Sequence, residues 1–143
     1  MSKNIIAVSP DDGMNEVVRK MNQFRIGSIL VVESASPIGM ITERDVLAKV
    51  VEKGLLAREV RAREVMSHPV RTVSEEASVE SAAREMVQKN IKRLAVTRNN
   101  QLCGVLTSTD ILRAVAKGML SREMYLYLSD IFKKPPLSDT LGR

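Results

Sequence analysis

The sequence predicts an α+β protein in which two copies of a β-α-β-β-α unit pack sheet to sheet with pseudo-two-fold symmetry, followed by a C-terminal helical tail. Three observations lead to this prediction. The chain repeats itself without a gap at one constant offset, both copies show the same order of hydrophobic patterns, and 44% of the 143 residues are hydrophobic. Such a chain is long enough for one compact unit, or two small ones, with a buried core.

The repeat runs from the first strand-like segment of each copy to the last helix-like one. Val8-Ser9 aligns with Val73-Ser74, and further identities follow at the same offset. They pair Arg19 with Arg84, Met21 with Met86, Gln23 with Gln88, Ile26 with Ile91, Val31 with Val96, Gly39 with Gly104, Thr42 with Thr107, Asp45 with Asp110, Leu47 with Leu112 and Val50 with Val115. Because the identities fall at equivalent points of one hydrophobic pattern, they indicate a duplicated unit.

Within the first copy, apolar residues alternate between strand-like runs and helical spacing. The patterns predict a strand at 5–8, a helix to about residue 24, a hairpin of strands at 28–33 and 38–42 joined by about four turn residues, and a helix from Val46 that Gly54 ends. One face of such a three-stranded sheet carries both helices, and its other face is also apolar. Stacking two copies buries that second face.

The second copy repeats the order. The patterns predict a strand at 71–73, a helix at 79–89 capped by Ser78 or Ser74, strands at 92–97 and 102–106 around a turn at Asn99-Asn100, and a helix at 111–115. We therefore expect a first domain at 1–57, a second at 58–118 with a linker at about 55–69, and a C-terminal extension at 119–143.

Composition limits the classes of function. Aromatic residues make up 3% of the chain, which disfavours nucleic-acid binding by base stacking. One Cys and one His are too few for an ordinary zinc site or an internal disulfide. The longest apolar runs are far shorter than the ~20 residues of a membrane span, and the first residues lack a signal peptide, so we expect a soluble cytoplasmic protein. The net charge of +5 favours anionic partners without identifying them.

Two matching motifs carry a family resemblance. They are Gly39-Met-Ile-Thr42-Glu-Arg-Asp45-Val-Leu47 and Gly104-Val-Leu-Thr107-Ser-Thr-Asp110-Ile-Leu112, supported by segments 26–32 and 65–70. With these motifs the chain resembles, over roughly residues 3–118, a tandem pair of cystathionine-β-synthase (CBS) domains, also called a Bateman module. The resemblance implies a non-catalytic sensor of adenosyl ligands that pairs into a homodimer. No catalytic motif points to an enzyme.

The Thr-x-x-Asp pattern also has a chemical interpretation of its own. Asp45 and Asp110 each come at the start of a helix directly after a strand, where the helix dipole stabilises a carboxylate. A carboxylate that points into a cleft can accept hydrogen bonds from the two hydroxyls of a ribose, at roughly 1.5–3 kcal/mol each. The alternative is that both aspartates are plain N-caps.

The resemblance implies two clefts, each built from both copies. The first would use Met40, Thr42, Arg44 and Asp45, facing His68, Val70, Ile91, Lys92 and Arg93. The second would use Val105, Thr107, Thr109 and Asp110, facing Asn4, Ile5, Ile26, Gly27 and Ser28. The cations of the first cleft suit a di- or triphosphate, or a monophosphate that is bound strongly. The small and hydroxylated groups of the second suit a monophosphate or a less charged adenosyl compound such as S-adenosylmethionine.

The predicted function is a regulatory module that binds an adenine nucleotide, AMP first and ADP or ATP as further options. Three alternatives stay open: an interaction module with empty clefts, an S-adenosylmethionine sensor, and an RNA- or DNA-associated regulator. The apolar segment 119–132 holds three of the four aromatic residues. It would either pack on its own module or dimer, or bind a regulated protein.

Overall fold

The computed structural model describes residues 5–118, and within them the first copy folds in the predicted order. Its elements are β1 (Ala7–Val8), α1 (Met14–Phe24), β2 (Ser28–Glu33), β3 (Ser36–Thr42) and α2 (Glu43–Val46), which continues directly into a π-helical turn (Leu47–Val51). β2 lies in the middle of the sheet, parallel to β1 and antiparallel to β3. The short β1 therefore starts the unit, and α1 crosses over to the central strand.

The linker packs on the first copy. It forms a 3-10 turn (Ala57–Glu59) and a short helix α3 (Ala62–Val65), whose apolar side chains enter the first core. Ser67 then pairs with Met40 through two backbone hydrogen bonds of 3.1 and 2.9 Å. Gly39 allows this close crossing, because a Cβ there would lie 2.9 Å from the Met66 Cγ atom and 3.0 Å from its Cβ atom.

The second copy has the same topology as the first. Its elements are β4 (Thr72–Ser74), α4 (Val79–Gln88), β5 (Arg93–Arg98), β6 (Gln101–Thr107) and α5 (Ser108–Ala116). β5 pairs parallel to β4 and antiparallel to β6. The register irregularity after Val31 in the first hairpin recurs in the second after Val96, which is the equivalent residue of the repeat. The gapless sequence repeat is thus a repeat of strand register as well.

The strands alternate their side chains between two apolar layers. In β2, Ile29 and Val31 are buried in a core with the helices of the first copy. Leu30 instead joins Ala95 and Val105 of the second copy in a separate buried cluster. A third cluster, which includes Leu94, lies under the helices of the second copy. This period-two alternation confirms the predicted sheet-to-sheet packing.

The first hairpin differs from the sequence prediction. The prediction placed about four residues in its turn, whereas β3 already begins at Ser36 and the turn consists of Ser34 and Ala35 alone. Both have positive φ, 51° and 66°, like Asn99 and Asn100 in the second hairpin. Asparagine is common at positive φ, whereas alanine is not. The sequence therefore predicts the two-residue turn only in the second copy.

The tips of the two hairpins hydrogen-bond to each other. The Leu102 N–H donates to the Ala35 carbonyl at 2.8 Å. The symmetric donor would be residue 37, which is Pro37 and has no N–H. The Ser36 hydroxyl donates to the Asn100 carbonyl instead, at 2.9 Å.

Two further predictions concern the ends of elements. Ser78, rather than Ser74, is the N-cap of α4, and its hydroxyl accepts the Ser81 N–H at 3.0 Å. Gly54 has a φ of 68°, as expected for a residue that ends a helix. The predicted extension at 119–143 lies outside the described residues. Between residues 5 and 118, every helix is too short or too polar to cross a membrane.

Candidate functional site

A cavity of about 490 Å³ opens where the two copies meet. It is built from the loops that enter the central strands β2 and β5 and from the corners where β3 and β6 turn into helices. Ser28 pairs with Thr42 in one sheet, and Arg93 pairs with Thr107 in the other, so loop and corner are neighbours in both copies. The volume suits a small organic ligand.

The lining residues are related by the repeat. Seven pairs of equivalent residues line the cavity together: Arg25 and Asn90, Ile26 and Ile91, Gly27 and Lys92, Ser28 and Arg93, Thr42 and Thr107, Glu43 and Ser108, Arg44 and Thr109. Met40 completes the lining. The cavity therefore sits at the pseudo-symmetric centre of the described chain, although the side chains on its two halves differ.

The cavity is cationic. Its lining contains four cations, Arg25, Arg44, Lys92 and Arg93, and one carboxylate, Glu43. The Glu43 carboxylate lies beside Gly27, where an added Cβ would come within 2.5 Å of its Oε1 atom. The position equivalent to Gly27 is Lys92, so the half of the lining from the second copy has two cations and no carboxylate. An anionic group is favoured there.

Asp45 closes the first turn of α2. Its Oδ2 atom accepts hydrogen bonds from the Thr42 N–H at 2.9 Å and from the Thr42 hydroxyl at 3.1 Å. The Thr42 Oγ1 atom in turn accepts the Asp45 N–H at 3.1 Å. Thr42 is thus the N-cap, and Asp45 occupies the third helical position of a capping box rather than the N-cap position itself.

Asp110 repeats this arrangement in the second copy. Its Oδ2 atom accepts the Thr107 N–H at 2.8 Å, and the Thr107 hydroxyl accepts the Asp110 N–H at 3.2 Å. The other oxygens face cations: Asp45 Oδ1 is 3.3 Å from Lys49 Nζ, and Asp110 Oδ1 is 3.9 Å from Arg113. In both copies the Thr-x-x-Asp pattern therefore fixes the strand-to-helix corner that borders the cavity.

Arg93 is the lining cation that water screens least. Burial lowers the pKa of its guanidinium, and the attraction of Asp110 opposes that shift. A half-buried cation gains more from a nearby anion than an exposed one, because the surrounding dielectric is lower. Among the lining cations, Arg93 therefore has the strongest electrostatic interaction with an anion placed beside it.

The structure gathers most of the predicted site residues into this one cavity. Eleven line it: Ile26, Gly27, Ser28, Met40, Thr42, Arg44, Ile91, Lys92, Arg93, Thr107 and Thr109. The family resemblance implied two separate clefts for these residues, whereas in the structure they line one cavity, because both sets of loops meet at the symmetry centre.

The remaining predicted residues lie elsewhere. Ile5, Val70 and Val105 belong with Met40 to the apolar layer between the sheets. Asp45 and Asp110 are next to lining residues but do not line the cavity, and His68, which is exposed in the linker, does not line it either. Asn4 lies outside the described residues.

Four lining residues were missed by the sequence analysis: Arg25, Glu43, Asn90 and Ser108. Each is the immediate neighbour of a predicted residue. Arg25 and Asn90 could have been predicted from the sequence repeat. They occupy equivalent positions, just after a helix and directly before the predicted residues Ile26 and Ile91. They adopt positive φ, 54° and 53°, before the following strand.

The family assignment follows from comparison with known proteins. The profile of the CBS domain family matches the chain twice, over residues 1–52 and 62–117. The chain belongs to the CBS domain family. The two matches coincide with the two structural repeats, which together form a CBS pair.

Three similar proteins illustrate the range of relatives. An uncharacterised protein of Methanopyrus kandleri is 43% identical over 113 residues, which are 78% of this chain and 58% of the relative, so the chain spans little more than half of that protein's length. A putative signal-transduction protein with CBS domains from Burkholderia ambifaria superposes with a TM-score of 0.73 at 26% identity, over 83% of this chain and 88% of that one. CBSX2 in complex with AMP has a TM-score of 0.70 at 20% identity, over 82% and 91% of the two chains.

Proposed function

We propose that this CBS pair is a regulatory module that binds an adenine nucleotide, with AMP as the preferred ligand and ADP or ATP as further candidates, in the cavity between its two copies. The observation that carries the proposal is the lining of that cavity, which combines four cations with one carboxylate. An anionic ligand fits such a lining better than S-adenosylmethionine, whose sulfonium adds a positive charge. AMP bound to CBSX2, a protein of the same fold, supports the choice.

In this proposal each group of the ligand has a partner in or beside the lining. The phosphate is bound by Lys92 and Arg93, and Ile26 and Ile91 contact the two faces of the base. The ribose hydroxyls donate hydrogen bonds to the carboxylate of Asp45 or Asp110, which lies beside the lining and is also near Lys49 or Arg113. A ligand bound in this way contacts both copies at once, and it stabilises one arrangement of them that a regulated protein can recognise.

Calorimetric titration with AMP, ADP, ATP and S-adenosylmethionine tests the proposal. We expect binding of at least one of the three nucleotides and a loss of affinity of roughly tenfold or more in Lys92→Ala, since a charge-assisted hydrogen bond is removed. Lys89→Ala is the matched control, because Lys89 is exposed and outside the cavity lining. Absence of binding by all three nucleotides contradicts the proposal and favours an interaction module with empty clefts.

We further propose that the module forms a homodimer through its helices. Phe24, Leu47 and Val51 are 43%, 57% and 60% exposed in the first copy, and Leu112, equivalent to Leu47, is 44% exposed in the second. Leu47, Val18 and Met21 also line a second cavity of about 390 Å³, which shares Arg25, Ile26, Gly27 and Glu43 with the first. An exposed leucine at the same repeat position of both copies suits contact with a second copy of the chain.

Sedimentation velocity tests the dimer. We expect the parent chain to sediment as a dimer and Leu47→Asp as a monomer. Leu56→Asp, which changes a residue 49% exposed in the linker, is the control and is expected to stay dimeric. A monomeric parent chain would refute the homodimer while leaving the nucleotide proposal intact.

A further inference from the structure

The segment that follows the first copy has a counterpart after the second. Residues 54–60 read Gly-Leu-Leu-Ala-Arg-Glu-Val, and residues 118–124 read Gly-Met-Leu-Ser-Arg-Glu-Met. Four of the seven positions are identical, and the other three exchange similar side chains. The repeat therefore extends beyond the two β-α-β-β-α units, to a segment that we call the closing segment.

The closing segments are offset by one position less than the rest of the repeat, and the structure explains the difference. The offset that aligns Val8 with Val73 would align Gly54 with Met119, whereas the matching glycine is Gly118. In the first copy the helix after β3 includes the π-helical turn Leu47–Val51, but α5 of the second copy is α-helical throughout Ser108–Ala116. A π-turn accommodates an extra residue within a helix, so the first copy needs a longer chain to reach the same point. Gly54 and Gly118 then leave their helices with nearly the same φ, 68° and 69°.

In the first copy the closing segment covers the start of α1. The Val60 side chain is buried in the first core, and the Val60 carbonyl accepts the N–H of Met14, the first residue of α1, at 2.8 Å. Ala62 donates to the Asp12 carbonyl at 2.9 Å just before that helix. As a result Met14 is fully buried, and Val8 in β1 is 3% exposed.

The corresponding surface of the second copy has no such cover within residues 5–118. Val79, equivalent to Met14, and Val73, equivalent to Val8, pack against the second core but are less completely buried than their counterparts. In this part of the chain the Val79 N–H has no acceptor, whereas the Met14 N–H has one. Among residues 5–118, the buried core of the second copy also has no equivalents of Val60, Ala62 and Val65.

We propose that residues 118–126 of the same chain occupy this surface, with the Met124 side chain completing the second core and the Met124 carbonyl accepting the Val79 N–H. The match of residues 118–124 to the closing segment of the first copy fixes the register of the contact. Leu126 then takes the place of Ala62. This contact forms between the C-terminal segment and the second copy and is independent of any ligand in the cavity.

Residue-resolved amide exchange on the full chain tests the proposal. We expect the Val79 amide to be protected in the parent chain, as the Met14 amide is, and its protection to fall by roughly tenfold or more in Met124→Asp, because a buried charge opens the contact. Leu120→Asp is the matched control: its counterpart Leu56 is 49% exposed, so Val79 protection is expected to stay at the parent value.

Three outcomes would overturn the proposal. The first is a Val79 amide that exchanges freely in the parent chain while Met14 is protected. The second is a Met124→Asp chain that protects Val79 as well as the parent does. The third is protection that depends on protein concentration, which would assign the cover to a second copy of the chain. Protection that is independent of concentration and lost only in Met124→Asp supports the proposal.

Discussion

The two copies of the CBS pair have the same backbone topology but differ in the segments that pack against them. Strand pairing, the register irregularity in each hairpin and the capping threonine with its aspartate recur at equivalent positions of the repeat. The first copy, however, is covered by the linker, with Val60, Ala62 and Val65 in its core, and this core is the larger of the two within the described residues. Within residues 5–118 the two copies therefore bury different apolar areas although their backbones match, and buried apolar area is the main source of stability.

Differences between equivalent residues also make the charge of the cavity lining uneven. Equivalent positions carry Gly27 and Lys92, Ser28 and Arg93, and Glu43 and Ser108. Arg25 and Arg44, in contrast, are equivalent to Asn90 and Thr109, so the first copy contributes two cations and one carboxylate to the lining and the second copy contributes two cations alone. The duplicated fold thus supplies two similar walls whose charges differ, and the wall of the second copy is the more positive.

The largest expected effect is at the layer between the sheets, where Leu30 and its equivalent Ala95 are both fully buried. We expect Leu30→Ala to lower the free energy of unfolding by about 2–5 kcal/mol, since it leaves a cavity between the two copies. Ala95→Leu adds volume to the same layer and is expected to cost about 1–3 kcal/mol.

Urea denaturation of both single variants and of the double variant measures these costs. Because the two residues share one buried cluster, the double variant is expected to be more stable than the sum of the two losses predicts. Strict additivity would show that the sheets do not share a packed layer.

A smaller effect is expected at the hairpin tips, where the Ser36 hydroxyl substitutes for the N–H that Pro37 lacks. Ser36→Ala removes this contact to Asn100 and is expected to cost about 0.5–1.5 kcal/mol in the free energy of unfolding. Ser36→Thr keeps the hydroxyl and serves as the control in the same thermal denaturation series. Equal stabilities of the alanine variant and the parent would mean that the contact does not hold the copies together.

The smallest expected effect is a pH dependence at the contact between the linker and the first copy. Hydrogen bonding from Arg63 lowers the pKa of Asp11 below its ordinary value of 3.8. A carboxyl group with a lowered pKa in the folded state stabilises the protein above its ordinary pKa, and that contribution is lost as the pH falls through the folded-state pKa. Because Asp11 is exposed, solvent screens the pair and the contribution is small.

Parent and Asp11→Asn chains should therefore differ in stability at neutral pH and converge as the pH falls through the lowered pKa of Asp11. Denaturation curves across this range measure the difference. A gap between the two chains that stays constant down to the lowest pH would show that Asp11 acts through something other than its charge.

Much of the candidate site was predictable from sequence, because its residues occupy equivalent positions of the two repeats. The gapless alignment of the two copies matches the corner at Thr42 with the corner at Thr107, and both corners border the cavity. His68 and Val70 illustrate the limit of the sequence, since neither lines the cavity. Their position depends on the path of the linker, which pairs Ser67 with Met40 and which no local pattern specifies.

The sequence by itself determined the duplication, the order of elements and the face that each strand buries, because hydrophobic periodicity and turn residues are local properties. Only the tertiary structure decided that eleven of the predicted residues meet in one cavity and that the Asp45 and Asp110 carboxylates already accept backbone hydrogen bonds. It also decided that the linker belongs to the first copy. These outcomes depend on contacts between residues far apart in the chain, where packing of the two sheets sets the distances.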